Sequence, residues 1–138
     1  MLLKDKVVIV SGIGPGLGQE LSTLAAVEGA SAVVLAARTG QKFDAAEQEI
    51  RELGLGTAVL KMPTDIADQA QCQALADRAV QEFGRIDVLF NSAYDPGSFE
   101  PIEQADMAGW RRAMDVNFFG TMHLTQACVP AMKESGGG

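Results

Sequence analysis

Apolar residues along this chain follow two alternating rhythms. Val7–Val10 and Ala32–Ala36 are unbroken apolar runs, Ile86–Phe90 is mainly apolar, and Thr57–Met62 ends at Pro63. A short apolar run without polar alternation is the pattern of a parallel strand covered on both faces, so these four segments read as strands. Between them apolar side chains recur every three or four positions, which is the helical rhythm. Leu17, Leu21, Leu24, Ala25 and Val27 form the apolar stripe of a first helix, closed by Gly29. Phe43, Ala46, Ile50 and Leu53 mark a second, stopped by Gly54, and Cys72, Leu75, Ala76, Ala79, Val80 and Phe83 a third, followed by Gly84. After a loop holding Pro96, Gly97 and Pro101, Asp106 reads as the N-cap of a long helix through Trp110, Met114, Phe118, Leu124 and Cys128, with Pro130 placed to kink or end it.

Strands alternating with helices at this spacing predict right-handed βαβ units: a doubly wound, Rossmann-type parallel sheet in a three-layer α/β/α fold. Residues 1–138 are one domain's worth of chain. The formal charge of −7 argues against a nucleic-acid or acidic-membrane partner. Cys72 and Cys128 fall in helical patterns without C-x-x-C spacing, which predicts two reduced, buried thiols. Met1–Lys6 lacks the apolar run of a secretory signal and no window is long enough to span a membrane, so the expected location is cytoplasmic.

The chemistry concentrates where the first strand ends. Val10-Ser11-Gly12 leads into a loop with glycines at 12, 14, 16 and 18, and a helical pattern follows at once. A glycine-rich turn from strand to helix makes an anion site from backbone N–H groups and the positive helix end. Gly12 suits the sharp turn off the strand, Gly16 the close approach of a pyrophosphate, and Gly18 the packing of helix on strand. The spacing Gly12-x-x-x-Gly16-x-Gly18 is not G-x-G-x-x-G, because Leu17 stands where that pattern wants its last glycine, and it is not a Walker loop, since no Gly-Lys-Ser/Thr closes it.

With Asp65-Ile66 after the third strand, Asn91-Ser92-Ala93 after the fourth and Asp115-Val116-Asn117 in the long helix, Ser11-Gly12-x-x-x-Gly16-x-Gly18 resembles the N-terminal, cofactor-binding half of the short-chain dehydrogenases/reductases. The likeness runs in order along the whole chain. It implies that Ser11, Gly12, Gly16, Leu17 and Gly18 form the phosphate-binding turn, with the Leu17 backbone against the pyrophosphate and nicotinamide side. It implies that Asp65 accepts from the adenine amino group with Ile66 flanking the ring, that Asn91 supports the sheet, and that Ala93 lies near the cofactor ribose. Asn117 matches the asparagine that supports a water-linked proton relay. Being a poor helix former among apolar neighbours, it is also expected to be part-buried and to need partners.

Cofactor choice in such folds is made at the end of the second strand, where a carboxylate selects NAD and a basic residue pairs with the 2′-phosphate of NADP. Here Ala37 stands in the carboxylate position and Arg38 in the basic one, which points to NADP over NAD. A second basic residue, common in NADP-selective relatives just before the middle glycine, is replaced by Pro15.

The resemblance also implies a Tyr-x-x-x-Lys pair and a preceding serine, beyond the asparagine-bearing helix; the chain reaches Gly138 without them. Its one tyrosine, Tyr94, has Ser98 rather than lysine four residues on and reads as a pocket-wall residue. The fourth strand, apolar yet last in the order 3-2-1-4, would stand at a bare edge. The expectation is therefore a truncated fold, inactive alone, belonging to an NADP-dependent oxidoreductase. That enzyme would transfer hydride between nicotinamide and a small carbonyl or alcohol substrate. The rival from another class is a non-catalytic dinucleotide-binding sensor or scaffold. His123 has no ligand-spaced partners and reads as a helix-packing residue, so no metal is expected. Trp110, Phe118 and Phe119 read as core or interface anchors, and the long helix as a homo-oligomer contact.

Overall fold

A computed structural model describes residues 1–138. Strands β1 (Val7–Ser11), β2 (Ala32–Ala37), β3 (Ala58–Pro63) and β4 (Val88–Asn91) alternate with helices α1 (Leu17–Val27), α2 (Phe43–Glu52) and α3 (Gln69–Phe83), and α4 (Met107–Met114) and α5 (Thr121–Glu134) follow. The strands form one parallel sheet in the order β3-β2-β1-β4. That is the doubly wound arrangement the apolar rhythm predicts.

Alternation along the strands builds two cores. Val8, Val10, Val33, Leu35 and Ala37 point to one face, where Ala25 and Ala26 of α1 and Phe43, Ala46 and Ile50 of α2 cover them. Ile9, Val34 and Ala36 point to the other, under Cys72, Leu75, Ala76 and Ala79 of α3 and Leu124 and Cys128 of α5. β1 and β2 are buried along their whole length because both faces are roofed and both edges paired. Each large apolar side chain removed from water here contributes about 1.5–3 kcal/mol.

Several expectations need correction. The stripe on α1 is only partly the buried face: Ala25 is buried and Leu21 packs against the core, but Leu17, Leu24 and Val27 are exposed, and Gly18, Ser22 and Ala26 join Ala25 against the sheet. A methyl on Gly18 would overlap the Gly12 carbonyl oxygen, so α1 lies too close to β1 for large residues on that side. Leu53 is also exposed, on the rim of α2. β4 begins at Val88 rather than Ile86, although the Asp87 N–H already donates to Val7 O at 3.0 Å. The long helix is interrupted by a π-helical segment over Asp115–Gly120, and Pro130 neither ends nor splits α5, which continues to Glu134. Asn117 is exposed, as are Trp110, Phe118 and Phe119, so these aromatics are not core.

The amino ends of β1 and β4 are tied by Asp87, which is 3% exposed. Its Oδ2 accepts the Val7 N–H at 2.9 Å and Arg85 Nε–H at 2.8 Å, and Lys6 Nζ lies 3.5 Å from Oδ1. Desolvation pushes this carboxyl up, but the Arg85 hydrogen bonds, the Val7 N–H and the Arg85 and Lys6 charges outweigh it and hold it below the ordinary aspartate value.

Candidate cofactor site

All four strands deliver their carboxyl-terminal loops to one pocket of about 400 Å³. Gly12 to Pro15, Leu17 and Gly18 come from the β1–α1 turn, Ala36 to Arg38 from β2, Thr64 to Ile66 from β3, and Ser92 to Asp95 from β4. This is the crevice that a doubly wound sheet opens between the oppositely directed crossovers of β1.

The turn is shaped by close approaches. Gly12 has φ +82°, and a methyl there would overlap the backbone of Ser92 and Ala93, so the loops after β1 and β4 pass in direct contact. Gly16 caps α1 at φ +118° with open space where a side chain would stand. No side chain caps α1, whereas Asp68 and Asp106 cap α3 and α4. The first N–H groups of α1, at Leu17 and Gly18 on the pocket wall, are therefore left for an anionic group. The residues present fit the diphosphate of a dinucleotide.

Seven of the predicted positions share the pocket wall: Gly12, Leu17, Gly18, Arg38, Asp65, Ile66 and Ala93. Four stand outside it. Ser11 lies beneath, its Oγ donating to Phe90 O at 3.3 Å and accepting the Ser92 N–H at 3.3 Å, which binds β1 to the loop after β4. Gly16 is at the helix cap. Asn91 Nδ2 donates to Thr125 Oγ1 at 3.2 Å and ties β4 to α5. Asn117 uses both ends of its amide on one residue: Oδ1 accepts the Asp95 N–H and Nδ2 donates to the Asp95 carbonyl, both at 2.8 Å. Its side chain thus holds the loop that carries Tyr94 and Asp95. Arg112 Nε, 3.6 Å from Asp95 Oδ2, braces the same loop.

Lys42 and Thr64 also line the pocket and belong to no sequence motif, while Ser92 and Val116 line it from within the Asn91-Ser92-Ala93 and Asp115-Val116-Asn117 motifs. Thr64 is buried, its Oγ1 donating to Met62 O at 3.0 Å. The available signal for Thr64 and Ser92 was their place at strand ends; Lys42 lies one turn beyond the strand and gave none. Tyr94 is a pocket-wall residue, 72% exposed.

The turn holding Asp65 and Ile66 is itself fixed. Asp65 Oδ1 accepts the Ala67 N–H at 3.1 Å, and Cys72 Sγ–H donates to Ile66 O at 3.3 Å. Burial, with the Asp68 and Asp65 carboxylates adding, raises the Cys72 thiol to about 11. Burial, and then Cys72, raises Cys128 to about 12. Both stay protonated at neutral pH and act as packing groups.

Comparison with known proteins agrees with this geometry. The family model for short chain dehydrogenases matches residues 6–138, and the chain belongs to that family. It is 36% identical over 137 residues to the 7alpha-hydroxysteroid dehydrogenase of Escherichia coli (strain K12), covering 99% of this chain and 51% of that protein. NAD+-bound xylitol dehydrogenase superposes with a TM-score of 0.92 at 27% identity, over 100% of this chain and 52% of that one. A metagenomic short-chain oxidoreductase in complex with NADP gives 0.89 at 29% identity, over 100% and 61%. The chain spans about half the length of the curated relatives it matches. No helix is long and apolar enough to cross a membrane.

Proposed function

We propose that residues 1–138 form a single dinucleotide-binding unit of a cytoplasmic, NADP-dependent oxidoreductase acting on a small carbonyl or alcohol substrate. The observation that carries this is the Arg38 end of the pocket. The wall that begins with the glycine turn ends in an alanine, Ala37, where a carboxylate would hold ribose hydroxyls, and then in a cation. A guanidinium paired with the 2′-phosphate contributes roughly 1.5–3 kcal/mol, on the order of ten- to a hundredfold in affinity.

The bound nicotinamide would accept or donate the hydride. This chain's own residues bind and orient it. Gly12, Gly16 and Gly18 allow the close backbone approach, and the Leu17 and Gly18 N–H groups face the diphosphate. Asp65 accepts from the adenine amino group, Ile66 flanks the ring, and Ala93 packs by the ribose. Ser11 and Asn91 act one layer back, through the hydrogen bonds that hold the loop after β4. Asn117 is a positioning residue: its clasp on Asp95 fixes that loop beside the reacting end and supports the proton relay. Copies of the chain associate through the apolar residues left exposed on α4, the π segment and α5.

The test is the pair of dissociation constants for NADP+ and NAD+ on the full-length protein, with NADPH oxidation over a carbonyl panel. NADP+ is expected to bind at least about tenfold tighter. Equal affinities, or tighter NAD+, reject the NADP reading, and absence of carbonyl-dependent NADPH oxidation across the panel counts against the reductase.

A further inference from the structure

Arg38 is not alone at its end of the pocket. Lys42 is the last residue of the 3-10 turn Gly40–Lys42, which runs directly into α2. Its neighbour Phe43 is 2% exposed and pins the turn to the core. From there the lysine stem reaches back across the glycine turn: a methyl built on Gly14 would lie 3.5 Å from Lys42 Cδ and 3.7 Å from Nζ. The residue after Gly14 is Pro15, so a cation from α2's leading turn stands over a stretch of loop that supplies none.

Charge makes this placement informative. The chain has 18 carboxylates against 11 lysines and arginines. Lys6, Arg51, Lys61, Arg78, Arg85 and Arg112 all pair with carboxylates; of the five that do not, Lys4, Arg111 and Lys133 lie away from the pocket, and Arg38 and Lys42 line it. The acids nearest in sequence to Lys42 are engaged elsewhere, Asp44 with Lys61 and Glu47 with Lys61 and Arg51. Among the pocket's own acids, Asp65 accepts a backbone N–H and Asp95 lies by Arg112. Two exposed, unneutralised cations therefore reach one pocket wall from different elements.

We propose that Lys42 is the second cation of the 2′-phosphate site, closing over the glycine turn to clamp with Arg38 a phosphomonoester dianion. The inference rests on the NADP reading and adds the residue that completes it. A 2′-phosphate, with its second pKa near ~6, is largely dianionic at neutral pH and has oxygens for both a guanidinium fork and an ammonium. A ribose diol is neutral and gains little from either. Lys42 should accordingly act on discrimination rather than on dinucleotide binding as such.

The experiment measures Kd for NADP+, NAD+, 2′,5′-ADP and 5′-AMP on the full-length protein and its Lys42→Met, Lys42→Arg and Arg38→Gln variants. Lys42→Met keeps the apolar stem over Gly14 and removes only the charge. It is expected to weaken NADP+ and 2′,5′-ADP by about tenfold while leaving NAD+ and 5′-AMP within about twofold. Lys42→Arg should restore most of the loss. Thermal melting of each variant separates these effects from misfolding. If the unaltered protein prefers NADP+ and Lys42→Met weakens all four ligands alike, or none, the role of Lys42 is overturned while the NADP reading stands. If the unaltered protein shows no preference, or prefers NAD+, the NADP reading falls and this inference falls with it.

Discussion

Asp87 sits in an apolar sequence, Ile86-Asp87-Val88-Leu89-Phe90, and is buried like Ile86, while the three residues after it are only half-buried. What makes a carboxylate acceptable there is the set of donors gathered around it from Lys6, Val7 and Arg85. Asp87→Asn preserves the shape and an acceptor for Val7 but leaves the two cations uncompensated. It is expected to cost about 1–3 kcal/mol at neutral pH. Because the folded-state pKa is lowered, the stabilisation is complete above the unfolded aspartate value near ~3.9 and is lost as pH falls through the folded value. Melting curves of both proteins should converge toward acid; a constant difference across the range would remove the ionic role. The strand pattern did not show this, because two of the three partners, Lys6 and Val7, lie some eighty residues away and meet Asp87 only when β4 pairs with β1. Gly12 and Gly18 are the opposite case: their spacing announced tight backbone approaches, and a side chain at either would overlap backbone atoms.

At the scale of elements, helical rhythm located every helix but did not always choose its inner face. On α1 the largest apolar residues lie on the flanks because contact with β1 admits only Gly18, Ser22, Ala25 and Ala26. Ser22 can be buried there because its Oγ–H donates to Gly18 O at 2.7 Å. The π segment is likewise a tertiary fit. A methyl on Gly120 would lie 2.8 Å from Ile66 Cγ1, so the helix passes against the β3–α3 turn at the point where it is underwound. That segment carries Val116 to the pocket wall and Asn117 to Asp95. Asn117→Ala removes both 2.8 Å hydrogen bonds to the Asp95 backbone. We expect faster amide exchange at Asp95, a stability loss of about 1 kcal/mol, and turnover in the full-length protein reduced more than the NADP+ dissociation constant is raised. Asn117→Asp, which still accepts the Asp95 N–H but cannot donate, should lie between. Unchanged turnover in Asn117→Ala would eliminate its positioning role.

At the scale of the molecule, the sheet ends at the half-buried β4, and one helical flank is left apolar. Met107, Trp110, Met114, Phe118 and Met122 follow one another at helical spacing and are each 42–52% exposed. Under the proposed association, copies of the chain meet along this apolar succession. Sedimentation of the full-length protein is expected to show an oligomer, with Trp110→Ser plus Phe118→Ser shifting it toward monomer without changing its circular dichroism. A monomer at all concentrations would leave this face to other parts of the polypeptide.

The sequence alone determined the layers and the glycine turn, because these follow from period, from apolar runs and from backbone stereochemistry, all of which are local; the strand order followed only through the doubly wound class those layers imply. It also placed Arg38, Asp65, Ile66 and Ala93 at strand ends, and a parallel sheet necessarily gathers its strand ends on one side. Only the tertiary structure decided that Asn117 spends its amide on Asp95, that α1 turns its small face inward, and that Lys42 lies over Gly14. Those outcomes depend on distances between segments far apart in the chain, and no residue pattern records how closely two backbones approach.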